Sequence, residues 1–111
     1  MLQKRSRQRV PNKNYQRGRS REYAVMSVLK KDGWMVSRSA ASHGAVDVFA
    51  AKGGKVLLVQ VKSGRARAER EELQELVKWG ESANGDAEVW YYKGRGKVVK
   101  RRVHAAKRAG A

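Results

Sequence analysis

The stretch Val56-Leu57-Leu58-Val59-Gln60-Val61-Lys62 constrains the fold more than any other part of this 111-residue chain. It is apolar at nearly every position, and Gly53-Gly54 before it and Ser63-Gly64 after it hold it to strand length. A strand apolar on both sides must be covered on both faces, so it belongs in the middle of a sheet with helices above and below. The neighbouring segments agree. Lys52-Gly53-Gly54-Lys55 reads as a tight hairpin turn from a preceding strand over residues 45–50. Further strands are expected over 34–38, 87–92 and 97–101. A helix is expected from Ser20, a good N-cap, with Tyr23, Val25, Met26, Val28 and Leu29 at helical spacing and Asp32-Gly33 as its end. Glu22 would then sit in its first turn, favoured by the helix dipole. A second helix is expected over 68–80. Leu73, Leu76 and Val77 form its apolar stripe, Glu69, Glu71, Glu72 and Glu75 face water, and Gly80 stops it. The expected class is α/β, one mixed central sheet flanked by helices.

Charge divides the chain. Lys and Arg number 26 against 10 Asp and Glu, a formal +16. Residues 1–21 carry eight bases and no acid, and residues 93–111 another eight and no acid. The segment between them is neutral. This is the layout of a balanced domain with two basic arms, residues 1–18 and 103–111, around a folded part over 19–102. Dense like charge stays extended until a polyanion neutralises it, and nucleic acid is the natural partner. A membrane surface fits less well, because the arms lack the interleaved apolar residues that an interfacial helix buries. No apolar run approaches the ~18 residues of a membrane span. The first five residues, Met-Leu-Gln-Lys-Arg, have no apolar core behind them, so a secretory signal is not expected and a cytoplasmic location is. The absence of cysteine excludes disulfides, thiolate zinc sites and a cysteine nucleophile.

One group of residues sits poorly with a purely structural role. Gln60 and Lys62, two apart on a strand, project to the same side. Asp47 lies among Val46, Val48 and Phe49, where an unpartnered carboxylate is costly. If Gly53-Gly54 closes the hairpin, Asp47 falls beside Gln60. Glu22, at the start of a helix packed on this sheet, completes the set. Two carboxylates and an amide oxygen are hard ligands that suit Mg²⁺ or Mn²⁺. A lysine beside them can orient water or offset charge developing on phosphate, as metal-assisted phosphodiester hydrolysis requires. A plainer arrangement uses the same residues: Asp47 pairs with Lys62 as a half-buried salt bridge, and Gln60 caps a sheet edge.

A glutamate in a first helix, then Gly44-Ala45-Val46-Asp47, then a hairpin into Gln60-Val61-Lys62, resembles the PD-(D/E)XK nuclease superfamily. Gly18 and Glu22, then Gly33-Trp34-Met35-Val36-Ser37-Arg38-Ser39-Ala40, Ser42 and Val46-Asp47 resemble the archaeal-type Holliday junction resolvases, over about residues 18–64. The resemblance implies a restriction-endonuclease-like fold and a homodimeric, Mg²⁺-dependent endonuclease that nicks four-way DNA junctions in symmetric pairs. It implies Glu22, Asp47, Gln60 and the Val61 carbonyl as metal ligands or their supports, and Lys62 as the catalytic lysine. Arg38 and Ser42 match positions near the scissile phosphate. Two departures stand out. Gln60 occupies the place of an acid, removing one negative charge. Tyr23 stands where an arginine often follows the helix glutamate, with Arg19 or Arg21 as substitutes.

Other residues bear on DNA binding. His43 borders the site and Arg65 and Arg67 follow the central strand, placing all three near phosphate; ordinary solvated side chains are the alternative. Tyr15, among bases, is a candidate stacking residue. Trp34, Trp79 and Trp90 are expected in the core or a dimer interface, and His104 in the basic tail is expected to be incidental. Two alternatives to a resolvase remain: a nuclease of the same fold acting on other branched or single-stranded DNA, and a non-catalytic nucleic-acid-binding protein.

Overall fold

In a computed structural model of the chain, seven elements follow one another: α1 (Lys13–Lys31), β1 (Met35–Arg38), β2 (Val48–Lys52), β3 (Lys55–Ser63), α2 (Arg70–Ala83), β4 (Asp86–Gly94) and β5 (Lys97–His104). The structure describes residues 13–39, 44–63 and 65–108. The strands form one sheet in chain order, with β3 at its centre. All pairings are antiparallel except β3–β4, which is parallel. Local chemistry explains this order. Gly53 and Gly54 both take positive φ, 54° and 82°, the conformation a two-residue hairpin needs. Parallel strands cannot be joined by so short a turn, and α2 supplies the crossover from β3 to β4. None of the helices among the described residues is long and apolar enough to cross a membrane.

Both faces of β3 are covered, as its composition requires. Leu57 and Val59 point to α1, where they pack with Val25, Leu29, Val48, Ala50 and Trp90. Leu58 points the other way and packs with Leu76 of α2, Ala45, Val46, Ala87 and Val89. Trp90 is buried in the core, while Trp79 on α2 stays partly exposed and meets Phe49 edge-to-face at 5.6 Å.

Several details depart from the sequence-based expectation. Helix α1 begins at Lys13 rather than Ser20, so Glu22 lies inside the helix and its first turn holds no acid. Lys, Gln and Arg are good helix formers, and a helix segment without an apolar stripe leaves no periodic signal. Gly80 does not stop α2. The helix runs on to Ala83 and ends at Asn84, whose φ of 47° is left-handed. Gly80 instead provides room for His104, which is not incidental: its Nδ1 lies 2.9 Å from the Gly85 carbonyl oxygen. A Cβ on Gly80 would come within 2.7 Å of that ring. The basic run near the C-terminus is in part a strand, and Arg102 is fixed there by two hydrogen bonds to Glu88 and an ion pair with Asp86.

Glycine to alanine inside a helix ordinarily stabilises by about 1 kcal/mol. Here Gly80→Ala is expected to destabilise by about 1–3 kcal/mol through overpacking. In a His104→Ala background the same change becomes neutral or stabilising. Thermal melting of the four proteins checks this.

Candidate active site

The hairpin register places the first two side chains. Val48 pairs with Val59 and Phe49 with Leu58, and just ahead of β2 the ladder becomes irregular, with Asp47 set against the Val59–Val61 stretch of β3. The Asp47 N–H donates to the Val59 carbonyl at 2.9 Å. Its Oδ2 accepts the Val61 N–H at 2.7 Å, which fastens the carboxylate to the main chain of β3. Gln60 and Lys62 share the α2 side of the strand. Lys62 does not pair with Asp47. Its Nζ donates to both carboxylate oxygens of Glu72, at 3.0 and 3.1 Å. Gln60 is 2% exposed; its Nε2 donates to Glu72 Oε2 at 3.4 Å, and its Oε1 has no partner.

From the other side of the sheet, Glu22 on α1 accepts a hydrogen bond from Arg38 on β1 at 3.1 Å. The Arg38 guanidinium lies 5.3 Å from the Tyr23 ring centroid, and that of Arg19 lies 6.0 Å away. Arg19 by hydrogen bonding, then Arg38 by its charge, draw the Tyr23 phenol below its ordinary pKa. Arg21 is half-buried, while Arg65 and Arg67 are exposed just past β3. Ser42 and His43 lie outside the described residues, as does the side chain of Tyr15. The structure thus brings together Asp47, Gln60, Val61 and Lys62, with the Glu22–Arg38 pair at their side.

Glu72 is the residue that sequence reasoning misplaced. It was expected to face water, yet it binds both Gln60 and Lys62. The signal was present. Glu72 lies four residues before Leu76 and eight before Gly80, the two buried residues of α2, and this spacing keeps it on the inward face.

Electrostatics mark Asp47 as the uncompensated group. Burial, the largest effect, pushes its carboxyl from 3.8 up to about 6; the Val61 N–H opposes this, Glu22 adds to it, Lys62 opposes it and Glu72 adds to it. Burial also disfavours ionised Glu72, but the Glu69 N–H and the Lys62 ammonium outweigh it and hold that carboxyl below its ordinary value. The donor set fits a divalent cation. A buried amide oxygen lacks a partner, beside a desolvated carboxylate short of positive charge. Among the described residues, no three of His, Cys, Asp and Glu come close enough to hold a metal ion by themselves. A ligand set here would have to draw on an amide or main-chain oxygen as well.

An acid whose folded pKa is raised loses stability for the fold as pH climbs from its unfolded value through its folded one. Without metal, Asp47→Asn keeps an oxygen for the Val61 N–H and removes the charge. It is expected to raise stability by about 2 kcal/mol at neutral pH, allowing for solvent screening. The gain shrinks to nearly nothing by about pH 4, where the native carboxyl is already protonated. Melting temperatures of both proteins across that range check the sign.

Comparison with known proteins places the chain in a family. Residues 13–108 match the family model described as archaeal Holliday junction resolvase (hjc). The crossover junction endodeoxyribonuclease Hjc of Methanocaldococcus jannaschii is 32% identical over 74 residues, covering 64% of this chain and 55% of the relative. The chain thus spans about half the length of that curated relative. The solved structure of Archaeoglobus fulgidus Hjc, a Holliday junction resolvase from an archaeal hyperthermophile, is similar with a TM-score of 0.67 at 24% identity. That likeness covers 78% of this chain and 73% of the other, and it shows the restriction-endonuclease-like α/β fold. With a family match that runs from the first helix to beyond the last strand, the chain belongs to the archaeal Holliday junction resolvase family.

Proposed function

We propose that this protein is a structure-selective, metal-dependent endonuclease that resolves four-way DNA junctions by hydrolysing phosphodiester bonds. The observation that carries the proposal is the orphaned Gln60 oxygen beside the under-neutralised Asp47 carboxylate, in a chain of this family. Glu22, Asp47, Gln60 and the Val61 carbonyl would hold Mg²⁺, with Mn²⁺ able to substitute. Bound there, the ion supplies Lewis acidity at the phosphate and eases deprotonation of the attacking water. Lys62, braced by Glu72, offers an ammonium to the charge that develops on the phosphate oxygens. Arg38, on the strand leading to the site, supplies a guanidinium for the neighbouring phosphate, with Arg19, Arg21, Arg65, Arg67, Ser42 and His43 as further DNA contacts. The exposed bases of the β4–β5 hairpin, Lys93, Arg95, Lys97 and Arg101, grip duplex limbs without reading sequence. The location that suits such a substrate is the cytoplasm.

A homodimer is part of the same proposal, because two-fold symmetry matches paired nicks across a junction. An apolar face left open on β1 and β2 supports it. Met35 is 78% and Trp79 41% exposed, flanking a groove that includes Phe49 and Val56. Met35→Glu is expected to convert the dimer to monomer in sedimentation experiments.

The direct test is cleavage of a synthetic four-way junction and a linear duplex at equal salt, with Mg²⁺, Mn²⁺ or chelator. Cleavage confined to the junction and dependent on the ion is expected, with Asp47→Ala and Lys62→Ala slower by about a hundredfold or more. Equal cutting of duplex or single strands would reassign the substrate. Tight junction binding without cutting in either ion would leave a binding protein.

A further inference from the structure

Glu72 enters this scheme only as the brace of Lys62, yet three contacts converge on it. Its carboxylate holds the Lys62 ammonium through both oxygens, at 3.0 and 3.1 Å. It accepts the Gln60 amide N–H at 3.4 Å and the Glu69 main-chain N–H at 2.9 Å. The contact with Gln60 is long, but its chemistry is selective. The two ends of a side-chain amide have nearly the same shape, and only the nitrogen end can face a carboxylate, which accepts and cannot donate. With its nitrogen turned to Glu72, Gln60 must present its oxygen elsewhere, and that oxygen is the buried one with no partner.

We infer that Glu72 is a positioning residue of the site. It orients the Gln60 amide so that the oxygen serves as ligand, and it fixes the Lys62 ammonium for the phosphate. Gln60 and Glu72 are then a matched pair. A neutral amide on β3 is required because a carboxylate already stands opposite on α2. An acid at position 60 would set two carboxylates against each other in a partly buried space, where like charges repel strongly. The inference rests on the nuclease reading above for its functional part, and on the Gln60–Glu72 contact for its structural part.

The test is an exchange of the pair, comparing wild type with Gln60→Glu, Glu72→Gln and the double variant, and with Glu75→Gln, an exposed acid of the same helix, as control. Junction cleavage at saturating Mg²⁺, junction affinity without divalent ion, Mn²⁺ affinity by calorimetry and melting temperature are measured. Each single variant is expected to lose about tenfold or more in cleavage rate or Mn²⁺ affinity, as substitutions behind metal ligands do. Junction affinity stays within about twofold, since the phosphate contacts that dominate it are intact. The double variant, with amide and carboxylate exchanged, recovers to within about threefold of wild type, a coupling that independent losses cannot produce. A Gln60→Glu variant as active as wild type, or losses that multiply in the double variant, would overturn the inference while the nuclease reading stands. A wild type that cuts no junction would overturn the nuclease reading instead. The pair would still be read from Mn²⁺ affinity and melting temperature, where absence of recovery refutes it.

Discussion

The pairing of β2 with β3 is the constraint from which the rest of the site follows. Two glycines with positive φ close the turn, and Lys52 faces Lys55 across it. From that point each step along one strand fixes its partner on the other, up to Val48 against Val59, and Asp47 then bonds the main chain of Val59 and Val61. A slip by one residue would turn Gln60 and Lys62 toward α1, away from Glu72, and drive Leu57 and Val59 off their core. The packed rows on the two faces resist such a slip, and the Asp47 carboxylate, latched to the Val61 N–H, adds a polar lock at the far end. The apolar interior and the reactive cluster are thus set by one register.

Around this frame the acids are paired unequally. Glu22 has Arg38 and Glu72 has Lys62, each an ion pair with partly buried members. Asp47 receives a single main-chain donor and stays the group that burial penalises most. A fold that leaves one carboxylate in this condition, next to an amide oxygen without a partner, stores an unmet demand for positive charge. Stability is lower for it, and a bound cation of the kind proposed above would relieve that cost.

Much of this was legible in the chain. The nearly continuous apolar run 56–61 specified a central strand, the Gly-Gly turn specified the hairpin, and counting from that turn brought Asp47 to the Val59–Val61 stretch of β3. Less visible were features decided by partners remote in sequence. Nothing near residue 13 announces a helix, because Lys13–Arg19 offers no apolar stripe to be seen. Gly80 looked like a terminator because glycine so often is one; only the position of His104, on a strand formed much later in the chain, shows it to be a contact point. Glu72 stands among Glu69, Glu71 and Glu75, and composition alone counts all of them as solvated. Its place on the buried stripe with Leu76 separates it from its neighbours.

The bases of β5 are not equivalent, although they contribute alike to the formal +16. Arg102 uses Nε and Nη2 together to grip Glu88, which also accepts the indole N–H of Trp90, and Lys100 lies 4.2 Å over the face of that same ring. A planar fork is needed for the first task, which lysine cannot supply. Lys97 and Arg101 stand exposed with no such obligation. Exchanging Lys97 or Arg101 for another base would disturb none of these contacts. Arg102 is pinned by its contacts, so tolerance to substitution along this cationic strand is uneven from one base to the next.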